Sequence, residues 1–247
     1  MAFAVGFNIS KGRELMENVA TQYNELQLYL GNEWETVYKG LQTEWVGEDE
    51  ISFEKNFADR INQLNEDAYY LVRNTIFQIN HLIESWVEFQ SQNVIVGGAA
   101  PEVNYSQFIE GVPDVNFVNP VVQAHPQQIT ADMDRGLVSE SSRSKLEEVV
   151  TNFVSEVKAK TSGLFESIEV NQAFFGDQTA SIKSYVEQVG KSVGEVSTSV
   201  KDLHDALEQL TGTNYQQATS EVNDILNKYT SDVENKVSET YAGKRWE

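Results

Sequence analysis

Cysteine is missing from all 247 residues. Disulfides, thiolate metal sites and a cysteine nucleophile are thereby excluded, which fits a cytosolic protein or an exported one that does without bridges. Histidine is scarce. His81, His125 and His204 are widely separated and form no metal-ligand spacing with one another, so they are expected to be surface or packed residues. Positive charge is outnumbered: 18 Lys and Arg stand against 38 Asp and Glu, for a net charge of −20 and an isoelectric point near 4.5. Such a chain repels nucleic acid and anionic membrane surfaces, which disfavours any partner bound through phosphates. No apolar run approaches the roughly 18 residues of a membrane span. The opening stretch, Met1-Ala2-Phe3-Ala4-Val5-Gly6-Phe7, has no basic leader and too short an apolar run for a signal peptide. Export, if it occurs, is expected by a route without a conventional cleaved signal; otherwise the chain is cytoplasmic.

Proline is confined to one place. All four (Pro101, Pro113, Pro120, Pro126) fall between residues 93 and 139, with Gly97, Gly98, Gly111 and Gly136. Proline restricts itself and the residue before it, so no long helix is expected to cross this stretch. It is not a polar linker, because Val94-Ile95-Val96, Phe108-Ile109, Val115, Phe117-Val118 and Val121-Val122 are apolar. A structureless loop of this length is uncommon in a compact domain. The segment is therefore expected to lie against the rest of the protein, with a membrane-inserting or partner-binding head as the sharper alternative.

What the chain does have is helical periodicity on both sides of that segment. Val19, Tyr23, Leu26, Leu30, Trp34, Val37, Leu41 and Trp45 step by 4, 3, 4, 4, 3, 4 and 4, a helix beginning near Asn8 to Lys11. A second stripe carries Phe53, Phe57, Ile61, Leu64, Ala68, Leu71, Ile79, Leu82, Trp86 and Phe89, widened by Tyr69, Tyr70, Val72, Ile76 and Ile83. So wide a stripe predicts more than one neighbouring helix. Past the prolines, Leu146, Val150, Phe153, Val157, Leu164 and Ile168, with Thr161 in register, predict a helix from about residue 139 to 170. Then Ile182, Val186, Val189, Val193, Val196, Val200, Leu203, Leu207 and Leu210 alternate steps of 4 and 3, a sustained heptad seam. Gly190 and Gly194 lie on or beside it, where they either admit a close neighbour or are simply tolerated. After Thr211-Gly212-Thr213-Asn214 a last helix with Val222, Leu226, Tyr229, Val233 and Val237 either folds back or continues as a bent extension.

Between the first two helices stands Glu44-Trp45-Val46-Gly47-Glu48. A Trp anchors a bundle end with its large apolar face, and a Gly two residues later takes the backbone conformation a tight reversal needs. The acidic run Glu48-Asp49-Glu50 suits the start of the next helix, where the helix dipole favours negative charge, and is expected to be solvated. A weaker copy, Phe174-Phe175-Gly176-Asp177, recurs 129 residues on, again between two helical patterns. The prediction is an all-α chain. Residues 8–92 form a first hairpin, 93–138 a connector, and 139–243 a second hairpin with a C-terminal helical extension. The two antiparallel hairpins pack as a four-helix bundle, an intramolecular pseudo-dimer.

No phosphate-binding glycine loop, no Gly-x-Ser-x-Gly and no catalytic constellation occurs in the sequence. No enzyme activity, catalytic residue, cofactor, metal or small-molecule substrate is expected. Helix, Trp-x-Gly turn and helix over residues 8 to 92, with Trp45-Val46-Gly47 as the motif, resembles the WXG100 (ESAT-6-like) family. Residues 139 to 211 look like a degenerate second copy, with Phe174 and Gly176 in place of the Trp and Gly. The resemblance implies leaderless helical hairpins that pair into antiparallel four-helix bundles, leave the cell by type VII secretion, and escort or form part of toxins. It implies a protein partner: export machinery, a toxin or another helical protein. The family's export signal, Tyr-x-x-x-Asp/Glu after a second helix, is not matched at Tyr229, which precedes Val233, or at Tyr241, which precedes Arg245. Tyr29 and Glu33 have the spacing but lie in the first helix. Either a partner supplies the signal or the chain is not itself a secretion substrate. Two other classes remain: a structural component of a phage particle or similar assembly, and a helical pore-forming toxin that uses residues 94–124.

Overall fold

The first stripe folds as one uninterrupted helix, α1 (Ile9–Glu44), 36 residues long and so about 54 Å from end to end at 1.5 Å per residue. All eight positions of the stripe are buried, seven of them from Val19 to Leu41 in the helix and Trp45 just past its end. In this computed structural model the described residues are 9–93, 112–127, 138, 140–169, 179–211, 220, 222–231 and 233. Three further long helices follow: α2 (Glu48–Asn93), α3 (Glu140–Glu169) and α4 (Thr179–Thr211). No strand occurs among the described residues. The fold is all-α, and the four helices form a bundle.

Cross-helix contacts give the topology. Tyr23 of α1 bonds Asn65 of α2. Tyr29 of α1 stacks on Phe153 of α3. Arg60 of α2 reaches Asp202 of α4, and His204 of α4 meets Glu147 of α3. Further along, Trp34 meets Phe57, Glu44 meets Lys145, Asn74 meets Ser181, and Lys158 and Ser197 line one groove; in each pair rising numbers on one helix meet falling numbers on the other, so every neighbouring pair is antiparallel. α1 packs on α2 and α3, and α4 packs on α2 and α3. The order around the bundle is therefore α1, α2, α4, α3, and the directions in chain order are up, down, down, up. Such a path demands a long return, because α2 ends at the end of the bundle opposite to the one where α3 begins.

Residues 112–127 make that return. They run in non-helical conformation along the groove between α1 and α2, meeting Tyr69, Asn65, Asn62 and Glu54 of α2 in turn. The expectation that this segment lies against the bundle holds for these residues. Residues 94–111 of the apolar stretch 94–124 lie outside the described residues. Within this strap, residues 112–127, Asn119-Pro120 is joined by a cis peptide bond.

The core continues through all four helices, and two details differ from the sequence reading. Near its end α2 buries Ile83 and Val87, while Leu82 and Trp86 are half-buried and Phe89 is exposed. The helix rotates its stripe because α1 approaches there at Gly12, where an added Cβ would stand 3.1 Å from Ile83 Cδ1. Tyr70, placed in the widened stripe, is exposed as well. In α4, of the two readings of the glycines, simple tolerance holds: both Gly190 and Gly194 have open space where a Cβ would stand. Residues 222–231 are helical. None of the described residues between 220 and 233 is buried. Among the described residues no helix is long and apolar enough to cross a membrane.

Candidate functional site

The turn at Trp45 brings the hairpin, the strap and the second hairpin together. The amide of Trp45 closes the last turn of α1 on the Leu41 carbonyl at 2.9 Å. Gly47 then adopts φ 149°, a conformation that disfavours any side chain, and its carbonyl accepts the first bond of α2 from Ile51. The reversal directs the Trp45 ring inward, where it is fully buried and lies 5.8 Å from Phe53. From there aromatic rings continue through the core. Phe53 meets Phe57 at 5.7 Å, and Phe57 meets Trp34 and Phe153 at 5.8 Å each. Phe153 belongs to α3, so this aromatic path joins the two hairpins; such pairs add about 0.5–1.5 kcal/mol each beyond their area. The end of α1 is also tied to the start of α3. Glu44 accepts from Ser142 at 2.6 Å and from Lys145 at 2.7 Å, which holds its carboxyl below the usual range.

Side chains of α1 and α2 grip the backbone of the strap. Asn62 Nδ2 donates to the Val122 carbonyl at 2.9 Å, and its Oδ1 accepts from the Val121 and Val122 amides at 2.9 and 3.1 Å. Asn65 donates to the Val118 carbonyl at 2.9 Å and Trp34 Nε1 to the Gln123 carbonyl at 2.6 Å. Glu54 accepts from the His125 amide, while Gln42 donates to the His125 carbonyl. Gln127 in turn reaches the carbonyls of Trp45 and Gln42 at 3.1 and 3.2 Å. Sequence reasoning missed this set. Its only signal was polar residues (Asn62, Asn65, Glu54) flanking an apolar helical stripe, which in an acidic chain reads as a solvated edge.

Glu50 corrects another expectation. The run Glu48-Asp49-Glu50 does open α2, but only Glu48 is exposed and Glu50 is fully buried. Neither Glu50 oxygen has a hydrogen-bond partner, and nor does Trp45 Nε1. Burial first, and the neighbouring Glu54 second, push the Glu50 carboxyl up to about 8, so it is protonated at neutral pH.

The heptad seam of α4 is divided. Val189, Val196, Leu203 and Leu207 are buried, while Val186, Val193 and Val200 are only partly so. The stripe is centred toward α2, and this brings Ser192 and Ser199 inside. Ser192 donates to Asp67, and Ser199 accepts from Arg60 at 2.8 Å; Arg60 also pairs with Asp202 at 2.7 Å. These small hydroxyls satisfy polar groups of α2 that would otherwise be costly to bury. Phe174 and Gly176, the second turn motif, lie outside the described residues.

The histidines do not converge. His81 is exposed and parallel to Phe77, the His125 ring faces Tyr38 at 4.2 Å, and His204 bonds Glu147 at 2.9 Å. Among the described residues no group of three or more His, Asp or Glu is placed to hold a metal. What the arrangement offers chemically is helical surface and grooves. One groove, about 540 Å³, lies between α3 and α4. No protein-family model matches this sequence, and neither a curated protein nor a solved structure is significantly similar to it.

Proposed function

We propose that this protein is a non-enzymatic helical interaction protein of the WXG100 kind, two hairpins fused in tandem, acting as a substrate, escort or structural component of a type VII-like export system. The observation that carries the reading is the Trp45-Val46-Gly47 turn. Its Trp is fully buried and its Gly has positive φ between two long antiparallel helices. A second helical pair packed antiparallel against the first supports it further, because fusing two such hairpins places the partner in the same chain. On this reading the working surface is the outside of the bundle, and recognition is by a protein partner.

The test is an export assay. The tagged chain is expressed in a Gram-positive host with an active type VII system, alongside the same host lacking the system's ATPase. The proposal expects the chain in the medium, or co-purified with machinery or an exported partner, only when the ATPase is present. Equal amounts in both hosts, at the level of a cytosolic lysis marker and with no ATPase-dependent partner, would remove the export reading.

A further inference from the structure

Glu50 and Glu54 stand one helical turn apart on α2, and both are buried, at 0% and 1% exposure. Side chains four apart on a helix are neighbours, so two carboxyls share one small buried site. Both oxygens of Glu54 are occupied. One accepts from the His125 amide of the strap and the other from Gln42 of α1 at 3.0 Å. Neither oxygen of Glu50 has a partner. An ionised Glu50 would set a second carboxylate beside Glu54 with no donor and no water to meet it, which burial and like charge both oppose. The proton of the pair therefore sits on Glu50.

The last residues of the strap lie over this pair. Gln123, His125 and Pro126 are exposed, and Ala124 and Gln127 are half-buried. With no fully buried side chain past Val122, this end is held by hydrogen bonds. Trp34 donates to the Gln123 carbonyl, Glu54 and Gln42 hold the two sides of His125, and Gln127 reaches the carbonyls of Trp45 and Gln42. The helices beneath are fixed by the core, so the strap end is the least costly piece to open.

We infer that residues 123–127 are a pH-sensitive latch, closed over the Glu50–Glu54 pair while that pair keeps its proton and released as the proton is lost. Opening admits water to both carboxyls, so the open state gives up the proton more readily than the closed one, and rising pH favours opening. The dependence begins above the ordinary carboxylate range, where the open state ionises, and levels off near 8, where the closed state ionises too. Other charged groups surround this end of the bundle. On α1, Glu44 is bound to Ser142 and Lys145 of α3, and Tyr38 carries the His125 ring at 4.2 Å. On α2, Glu48 and Lys55 are exposed and Asp49 is half-buried. On α4, Asp205 and Glu208 are exposed, and His204 meets Glu208 and, on α3, Glu147. Of these, Asp49 and the His125 imidazole stand nearest the latch, and each needs its own control.

The test is amide exchange in the full chain from pH 5 to pH 9, with the intrinsic pH dependence of exchange divided out. Protection of the His125 amide is expected to fall at least about tenfold across this range, at no more than tenfold per pH unit for one proton. The Val122 amide, held separately by Asn62, should show a much smaller fall. Glu50→Gln should make the His125 profile flat; Glu50→Leu, equally without a titrating group, should do the same. Asp49→Asn and His125→Gln, which keeps the backbone amide, should leave the fall in place. A flat profile in the wild type would overturn the inference. So would a fall that survives in both Glu50 variants, one that vanishes in Asp49→Asn or His125→Gln, or parallel falls at His125 and Val122, which would mean wider unfolding instead of a latch.

Discussion

Replacing Asn62 with Ala removes the firmest hold on the strap. Its side chain makes three hydrogen bonds to strap backbone, at 2.9, 2.9 and 3.1 Å. Each is worth about 0.5–1.5 kcal/mol net, so their loss costs about 2–4 kcal/mol. The upper end applies because Val122 is buried, which leaves its amide without water to replace the lost acceptor. Much of this cost falls on local release of the strap, so hydrogen exchange is the sharper assay. The Val121 and Val122 amides should exchange about 30- to 1,000-fold faster in Asn62→Ala, at tenfold per 1.4 kcal/mol. Asn62→Asp keeps the oxygen that accepts from both amides and loses only the donor to the Val122 carbonyl, so it should fall between wild type and Ala. Unchanged exchange at Val121 and Val122 in Asn62→Ala would refute the reasoning, whatever happened to the melting temperature.

Three further outcomes are expected. Trp45→Ala empties the fully buried site at the hairpin tip and should cost on the order of 3–5 kcal/mol; a thermal melt indistinguishable from wild type would remove Trp45 as an anchor. Glu50 titrates near 8 in the fold against 4.5 ordinarily, so its contribution is fully present below about pH 4.5 and is lost as pH rises through 8. Glu50→Gln should therefore gain stability over wild type at pH 9, on the order of 4 kcal/mol, and gain little at pH 5; parallel pH profiles in urea melts would contradict this. Val196 is fully buried and Val193 half-buried, so Val196→Asp should unfold or loosen the second half while Val193→Asp does less and the exposed Lys191→Asp least, a ranking that circular dichroism reads.

The helical period carried most of the fold. Every apolar position of the α1 stripe is inside because a long helix with one continuous stripe has one way to face a core. The divided seam of α4 was less legible. Alternating steps of 4 and 3 predict a face centred evenly on both rows, but α2 draws the helix round until Ser192 and Ser199 are buried. Small hydroxyls opposite Arg60 and Asp67 leave no apolar trace for a pattern to find. The end of α2 went astray for a similar reason: Leu82, Trp86 and Phe89 are periodic and large, yet Gly12 of α1 invites Ile83 instead. At the candidate site, Trp45 and Gly47 were readable because a large aromatic and a glycine between two stripes mark a reversal. Asn62 and Asn65 were not, since they hold strap backbone distant in sequence, and Glu50 was not, since an acidic run at a helix start carries no mark of which member is buried.

The central claim is that two hairpins of one chain complete a single bundle. A specific protease site inserted between the strap and α3, near residue 132, allows the chain to be cut after folding. Gel filtration with light scattering then measures the nicked protein in buffer and in denaturant. The account predicts one particle of about 27.8 kDa in buffer, containing both fragments, which separate only when denatured. Folded fragments that part in buffer, or an intact chain that runs as a dimer through its hairpins, would contradict it.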